Sequence, residues 1–133
     1  IFEHFKKIEI NHIEIEGKSP LYFAENFDIN LKRIFYVLDM KQDEVRGAHA
    51  HKKTSQLIFV ISGALELEAL NENGDVIVFE KLNKYSQPIL FEPNVWLNLK
   101  SLEDRTSFIC LADLKYIEED YIRNPDDFFK KNA

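Results

Sequence analysis

Short apolar stretches alternate with polar turns along most of the chain. Residues 64–70 read ALELEAL, a period of two that is typical of a strand with one buried face. Alternating Glu and Leu also suit a helix. The Ser62-Gly63 pair before this segment and the NENG turn at residues 71–74 favour a hairpin arm, with residues 76–79 (VIVF) as its return strand.

Further segments rich in β-branched and aromatic residues are predicted as strands: residues 31–38, 57–61, 88–91, 95–99 and 106–112. Residues 39–45 are predicted to form a polar loop. Many short strands with almost no helix between them indicate an antiparallel sandwich or barrel. In the tail, residues 116–123 and 125–131 begin acidic and end basic, as short helices do. We therefore expect one or two short helices on the outside of the barrel.

Composition is consistent with one folded domain over residues 1–133. No internal repeat or linker of Pro, Gly and Ser interrupts the chain. Hydrophobic residues make up 45% of the sequence and aromatic residues 13%, which is enough for a sizeable core and excludes wholesale disorder. No apolar run approaches the roughly 18 to 20 residues that cross a bilayer. We expect no membrane association.

Charge and cysteine content narrow the possible partners and the compartment. There are 17 basic and 23 acidic residues, and the net charge of −6 argues against a protein that binds nucleic acid. A small phosphate-bearing ligand is still compatible, because a few arginines suffice to bind it. The single cysteine, Cys110, lies in an apolar run and is expected to be a buried structural thiol. A reducing cytoplasm suits such a chain.

The candidate chemistry concentrates in residues 46–53, which read RGAHAHKK. On a strand, His49 and His51 point to the same side because they are two residues apart. Two converging imidazoles are unfavourable to desolvate unless they meet a ligand, a metal or polar partners. The next strand is almost wholly apolar, which indicates an interior location. We therefore interpret the pair as a functional site, the alternative being two histidines on an exposed strand face.

The order G-x-H-x-H, then Gln56 and Gly63, resembles the first motif of the cupin superfamily. Cupins are jelly-roll barrels, also called double-stranded β-helices, with the site in the mouth of the barrel. In metal-binding cupins a carboxylate stands where this chain has Gln56, and a further His stands where it has Leu97. Two neutral imidazoles without those ligands make a poor divalent-cation site. We predict no metal and no cofactor, and interpret the histidines as acid/base groups.

A closer resemblance, to the sugar nucleotide 3,4-ketoisomerases, covers residues 5–128. This family is also called WxcM-like or FdtA/QdtA-like. Four segments carry the resemblance, in the same order: residues 31–36 (LKRIFY), residues 46–53 (RGAHAHKK), the turn Pro93-x-x-Trp96 and residues 119–124 (EDYIRN). Residues 46–53 and residues 119–124 together are fairly specific for this family.

The resemblance implies a metal-independent cupin that acts on dTDP-4-keto-6-deoxyglucose. Such an enzyme moves the carbonyl group of the hexose from C4 to C3. An aminotransferase then makes a 3-amino-3,6-dideoxyhexose for lipopolysaccharide O-antigen or another surface glycan. The family is homodimeric, so we expect a homodimer here.

The resemblance also implies roles for individual residues. His49 is expected to be the base that removes the C3 proton, and His51 a second acid/base group or a group that polarises the oxygens. Arg33 and Arg46 are candidates for diphosphate contacts or, equally, for surface ion pairs. Tyr36 is expected to hydrogen-bond the sugar or simply to pack, and Trp96 to line the mouth or fill the core. The tail residues Asp120, Tyr121 and Arg123 are expected to hold the tail in place.

Three positions depart from the family pattern: Leu97 follows the Trp of the second motif, Glu16-Gly17 replaces a Tyr-Gly or Arg-Gly pair, and Phe35 replaces the first of two tyrosines. The first two positions look tied to which C4 epimer forms. The departures leave room for two alternatives to the ketoisomerase. One is a cupin that binds a sugar nucleotide without catalysis, and the other is a cupin of the 3,5-epimerase type.

Overall fold

The strands of this protein pair almost entirely in antiparallel fashion, as seen in a computed structural model that describes residues 4–130. In chain order the strands are β1 (Phe5–Lys7), β2 (Asn11–Ile13), β3 (Leu21–Phe23), β4 (Arg33–Met40), β5 (Val45–His51), β6 (Gln56–Ser62), β7 (Leu65–Leu70), β8 (Val76–Leu82), β9 (Ile89–Phe91), β10 (Trp96–Ser101), β11 (Thr106–Ala112) and β12 (Tyr121–Ile122). A 3₁₀ helix (Glu118–Asp120) precedes β12, and helix α1 (Pro125–Phe128) follows it.

Two five-stranded sheets form the barrel. The first has the order β1-β9-β6-β11-β4, and the second has the order β12-β5-β10-β7-β8. The strands β2 and β3 form a separate two-stranded hairpin. These sheets confirm the predicted all-β class.

The inner faces of both sheets share one hydrophobic core. On β7, Leu65, Leu67 and Ala69 are fully buried while Glu66 and Glu68 point outward, which is the alternation predicted for residues 64–70. Buried residues from β6, β9 and β11 face them across the barrel, and together they form the largest buried cluster of the described chain. Since successive side chains of a strand point to opposite faces, apolar residues on the outer faces of the sheets can be buried only by other segments.

Two smaller clusters cover parts of the outer faces. Ile8, Leu57 and Leu90 lie beneath the N-terminal arm on the first sheet. On the second sheet, Ala50 and Trp96 pack against Phe128 of α1. The C-terminal segment therefore packs on the outside of the barrel, as predicted.

The tail differs from its prediction in two respects. Residues 116–123 do not form a helix, because the 3₁₀ helix is followed directly by β12, which pairs with β5. The acidic residues Glu118, Glu119 and Asp120, which predicted the start of a helix, form this 3₁₀ turn instead. Helix α1 begins after Asn124, whose side chain accepts a hydrogen bond from the Asp126 amide as an N-cap. The helix ends at Phe128, because Phe129 is already extended, whereas the sequence predicts a helix as far as residue 131, which lies outside the described residues.

No helix among residues 4–130 is both long enough and apolar enough to span a membrane.

Candidate active site

A local irregularity in β5 turns its two histidines toward the barrel interior. The pairing of β5 with β10 shifts register between Leu97 and Asn98. Gly47 and Ala48 lie opposite this point with φ angles of +87° and +56°, a combination typical of a β-bulge, which re-aims the side chains that follow it. Beyond the bulge His49 pairs with Leu97, a residue of the inner core, so His49 faces the interior as well.

The two imidazoles converge, as the sequence predicts. Their ring centroids are 5.1 Å apart and the rings meet edge to face. His49 Nδ1 lies 3.0 Å from the Gly47 carbonyl oxygen. Because a carbonyl oxygen only accepts hydrogen bonds, Nδ1 of His49 carries the hydrogen and Nε2 keeps its lone pair.

His51 is held by a carboxylate that lies 69 residues further along the chain. Its Nδ1 donates to Asp120 Oδ2 over 2.8 Å, and both side chains are almost fully buried, with 3% and 4% exposed. Asp120 also accepts from the Thr54 hydroxyl and from the Lys53 amide. The ring of His51 is thereby fixed with Nε2 as its free nitrogen.

Burial keeps both imidazoles neutral near pH 7. Desolvation lowers the pKa of His49 below its ordinary value of 6.5, and the hydrogen bond to Gly47 opposes this shift only in part. Desolvation also lowers the pKa of His51; the bond to Asp120 opposes this, whereas the charges of Arg33 and Arg123 add to it. A neutral imidazole with a free Nε2 can accept a proton.

The aromatic ring of Tyr121 packs against both imidazoles. Its centroid lies 4.4 Å from that of His51 and 5.1 Å from that of His49. The guanidinium of Arg123 lies 4.2 Å from the Tyr121 ring centroid and pairs with both carboxylate oxygens of Glu118, each at 3.1 Å. Residues 116–123 thus form a strap beside the histidines, and we refer to them as the C-terminal strap.

Arg33 brings a cation to the same end of the barrel. Its guanidinium carbon lies 5.4 Å from the ring centroid of Phe35 and 5.8 Å from that of Tyr116 in the strap. Its Nε atom is buried, and no hydrogen-bond acceptor among residues 4–130 contacts it. A buried donor without a partner is unfavourable, which makes this atom a natural contact for an anionic ligand.

The other three predicted substrate contacts, Tyr36, Arg46 and Trp96, have different surroundings. Tyr36 is 61% exposed on the outer face of β4, opposite to Phe35 and Val37, which pack on the core. Arg46 is exposed and pairs with Glu44. Trp96 is buried under α1 on the outer face of the second sheet.

The two positions at which metal cupins have ligands are occupied by other interactions. The Gln56 side-chain oxygen accepts from the Cys110 thiol at 3.3 Å, and Leu97 is buried in the core beside His49. Burial raises the pKa of the Cys110 thiol, which agrees with its predicted structural role. Among residues 4–130, no group of three or more His, Cys, Asp or Glu side chains is arranged to hold a metal ion.

A groove of about 740 Å³ lies elsewhere, between the N-terminal arm and the outer face of the first sheet. Its lining is mainly apolar and includes Phe27, Phe59 and Leu111. The groove contains neither histidine of the pair. We place the chemistry at the histidines, because proton transfer requires titratable groups.

The sequence predicts only an anchoring role in the tail for Asp120 and Tyr121, whereas the structure shows that each contacts His51 directly. Pairing between β12 and β5 sets Tyr121 opposite His51. The EDYIRN segment was the available signal, but nothing in its pattern indicated which strand it joins.

This arrangement combines neutral bases with nearby cations in a mostly buried setting. It suits the removal of a proton from a carbon acid and the stabilisation of the anion that forms.

Comparison of the sequence with known proteins identifies a family and a similar enzyme. A family model described as FdtA, WxcM-like, C-terminal, matches residues 4–133. The chain is 31% identical over 130 residues to the TDP-4-oxo-6-deoxy-alpha-D-glucose-3,4-oxoisomerase of Aneurinibacillus thermoaerophilus, an alignment that covers 96% of this chain and 88% of that protein.

Two solved structures share the fold over nearly the whole chain. A 3,4-ketoisomerase from Helicobacter canadensis matches with a TM-score of 0.82 and 28% identity, covering 93% of each chain. The WlaRB TDP-quinovose 3,4-ketoisomerase from Campylobacter jejuni matches with a TM-score of 0.82 and 26% identity, covering 96% of this chain and 98% of that one. The expected cupin barrel is thereby confirmed.

The bulge in β5 leads to a prediction about Gly47. A Cβ at this position would lie 2.7 Å from the Leu97 carbonyl oxygen, whereas a Cβ at Gly74 would meet no atom within 4 Å. Both glycines have positive φ angles. Gly74→Ala should therefore lower the free energy of unfolding by about 1 kcal/mol through backbone strain alone. Gly47→Ala should lower it by roughly 2 to 4 kcal/mol, because the clash adds to the strain.

Urea denaturation of both variants measures this difference. Equal losses of stability in Gly47→Ala and Gly74→Ala would show that the close approach of β5 to β10 is not the constraint described here.

Proposed function

The chain is a sugar nucleotide 3,4-ketoisomerase that belongs to the FdtA family, and we propose that it converts dTDP-4-keto-6-deoxyglucose into the 3-keto isomer by proton transfer through His49 and His51. The observation that carries this proposal is the pair of neutral, converging imidazoles, each with Nδ1 occupied and Nε2 free. The name of the Aneurinibacillus relative supports the substrate.

The reaction balances without an oxidant or a reductant. The C4 carbonyl acidifies the hydrogen on C3, and a base removes it as a proton. The electron pair of the C3–H bond forms the C3–C4 double bond, and the C4 oxygen becomes an enediolate. The C4 oxygen then takes up a proton while the C3 hydroxyl loses one. As the C3 oxygen forms the carbonyl, the electron pair of the C3–C4 double bond takes up a proton at C4 from the acid form of a site residue, which completes the transfer.

The structure supports a division of labour between the two histidines. The partner of His51 is a carboxylate, which stabilises the imidazolium that forms when the ring takes up a proton. The partner of His49 is a neutral carbonyl, which stabilises it less. We therefore propose that His51 removes the C3 proton and His49 is the second acid/base group, which reverses the order that the family resemblance implies.

Arg33 is the proposed contact for the diphosphate of the substrate. Its buried Nε, which has no hydrogen-bond partner in the described part of the chain, supports this role, because a guanidinium suits phosphate oxygens. Tyr36 and Trp96 lie on outer faces of the sheets, and Arg46 pairs with Glu44, so the proposed contact set does not use these three residues.

The product is a suitable acceptor for an amino group at C3. We propose that it supplies a 3-amino-3,6-dideoxyhexose for a surface glycan and that the reaction takes place in the cytoplasm. The single buried thiol, Cys110, suits that reducing compartment.

Replacing the histidines tests the proposed mechanism. NMR of wild-type protein with dTDP-4-keto-6-deoxyglucose should show the 3-keto product. His51→Asn should lower kcat by about 100- to 10,000-fold, the usual contribution of a general base. His49→Asn should also lower kcat, and calorimetry should show that both variants still bind TDP. His12→Asn provides the control, because His12 is exposed on the N-terminal hairpin.

Other results of this assay point to the alternatives. Binding of the substrate without conversion by wild-type protein would indicate a cupin that binds without catalysis. Inversion at C3 or C5 would indicate an epimerase. Turnover by His51→Asn at the rate of the His12→Asn control would remove His51 as the base.

We propose that turnover requires no metal ion. The positions at which a metal cupin has its carboxylate and third imidazole hold Gln56, which accepts a hydrogen bond from Cys110, and Leu97, which lies beside His49. Extensive dialysis against a chelator should therefore leave kcat unchanged. Loss of activity that returns on addition of one divalent cation would contradict this prediction.

We also propose a homodimer formed through the outer face of the first sheet. The strand β4 is an edge of that sheet, and its outward side chains Ile34, Tyr36 and Leu38 are 55%, 61% and 54% exposed. Tyr36 pairs with Ile109 of β11, which in turn pairs with Phe59 of β6, so the apolar surface continues across three strands. Apolar edges of this kind are typical of protein interfaces.

A charge placed in this patch tests the dimer. Sedimentation equilibrium at micromolar concentration should give twice the chain mass for the wild type and the chain mass for Ile34→Glu. Val76→Glu should remain dimeric, because Val76 is equally exposed, at 53%, but lies on β8 at the edge of the second sheet. A monomeric wild type, or dissociation by Val76→Glu alone, would contradict the assignment.

A further inference from the structure

We propose that Asp120 is a positioning residue of the isomerase: its buried carboxylate fixes the ring of His51 in the tautomer whose Nε2 is free to accept a proton. This inference rests on the proposed function, since it specifies how one of the two histidines is prepared for its role. Asp120 itself is not placed in contact with the substrate.

The contacts of Asp120 hold its carboxylate in one orientation. Oδ2 accepts from His51 Nδ1 at 2.8 Å and from Thr54 Oγ1 at 2.5 Å, and Oδ1 accepts from the Lys53 amide at 2.7 Å. Donors therefore occupy both oxygens, and the side chain is 4% exposed. A carboxylate so placed accepts hydrogen bonds and donates none, so the hydrogen on His51 must be at Nδ1.

Other interactions already attach the C-terminal strap to the barrel. The Lys52 amide donates to the backbone oxygen of Asp120 at 2.8 Å, and β12 pairs with β5 on the following residues. Trp96 and Phe128 bury the chain beyond the strap. Because these contacts do not involve the carboxylate, anchoring of the tail does not explain why a charged side chain is buried against His51.

The surrounding charges show what the carboxylate contributes. Burial lowers the pKa of His51, and Arg33 and Arg123 lower it further, while Asp120 raises it. The neighbouring rings are His49 on the same strand and Tyr121 on β12. Asp120 therefore stabilises the imidazolium that forms when His51 takes up a proton, in surroundings that otherwise disfavour that charge.

The direction of the pH effect follows from these signs. His51 acts as a base only when neutral, so kcat falls as the pH drops through its pKa. Asp120 raises that pKa. In Asp120→Asn the pKa of His51 should fall, and the acid limb of the kcat profile should move to lower pH, while the plateau falls because the base is weaker.

The experiment compares Asp120→Asn with Glu119→Gln, a loss of charge at an exposed residue of the same 3₁₀ turn. Asp120→Asn should lower kcat between about 10- and 10,000-fold, the range seen when the orienting partner of an imidazole is lost. Its acid limb should move to lower pH and its Kd for TDP should stay within a factor of about three of the wild type. Glu119→Gln should keep the wild-type rate and profile.

A second measurement needs no variant. In wild-type protein labelled with ¹⁵N at histidine, the ring of His51 should show a protonated Nδ1 and an unprotonated Nε2 at pH 7.5. This result is independent of turnover, so the arrangement is tested even if dTDP-4-keto-6-deoxyglucose is not the substrate.

Three outcomes would overturn the proposal. One is a His51 ring protonated at Nε2 in the wild type. Another is a folded Asp120→Asn variant with the kcat and acid limb of Glu119→Gln. The third is a lower kcat with an unchanged acid limb and a TDP affinity lost in proportion, which would show a purely structural role.

Discussion

The buried hydrogen bond between His51 and Asp120 is the interaction on which the site depends. It joins β5 to a segment 69 residues later in the chain, with both side chains removed from water. Breaking one partner of such a pair leaves a charge or a polar nitrogen without compensation in the interior. The bond therefore fixes the orientation of the His51 ring, which packs against the Tyr121 ring of the C-terminal strap.

The chemistry of the site follows from desolvation more than from any single charge. Burial is the largest influence on the pKa of each histidine and lowers both. Two imidazoles that stay neutral near pH 7 provide one group to take a proton and another to return one. Arg33 adds a cation whose buried Nε has no hydrogen-bond partner among residues 4–130, which suits an anionic substrate. Acid/base groups and anion recognition are thus combined at one end of a barrel filled elsewhere by apolar side chains.

Alternation of apolar and polar residues was sufficient to predict most of the barrel. The strand at residues 106–112 has the bounds predicted, and Glu66 and Glu68 face outward as expected. The convergence of His49 and His51 followed from their spacing alone. By contrast, β2 and β3 are three residues each and largely exposed, so they leave no periodic signal.

The side chains that contact the two histidines could not be predicted from the local sequence pattern. Asp120 meets His51 only because β12 pairs with β5, and its acidic neighbours Glu118 and Glu119 indicated a helix start instead. Trp96 and Leu97 are adjacent, yet one lies under α1 and the other beside His49. The pairing of β10 with β7 sets these faces and places Leu97 opposite the buried Ala69. The bulge at Gly47 and Ala48, which aims His49 inward, was equally hidden. A positive φ at an alanine is not visible in composition or periodicity.

Solvent deuterium incorporation tests the central claim, proton transfer from C3 to C4 by imidazoles, most directly. The wild-type protein is incubated with dTDP-4-keto-6-deoxyglucose in D₂O, and the recovered sugars are examined by NMR. A base that exchanges its proton with water between the two transfers should place deuterium at C4 of the 3-keto product and leave C5 unlabelled. Deuterium at C5, or a sugar recovered unchanged and unlabelled, would contradict the account.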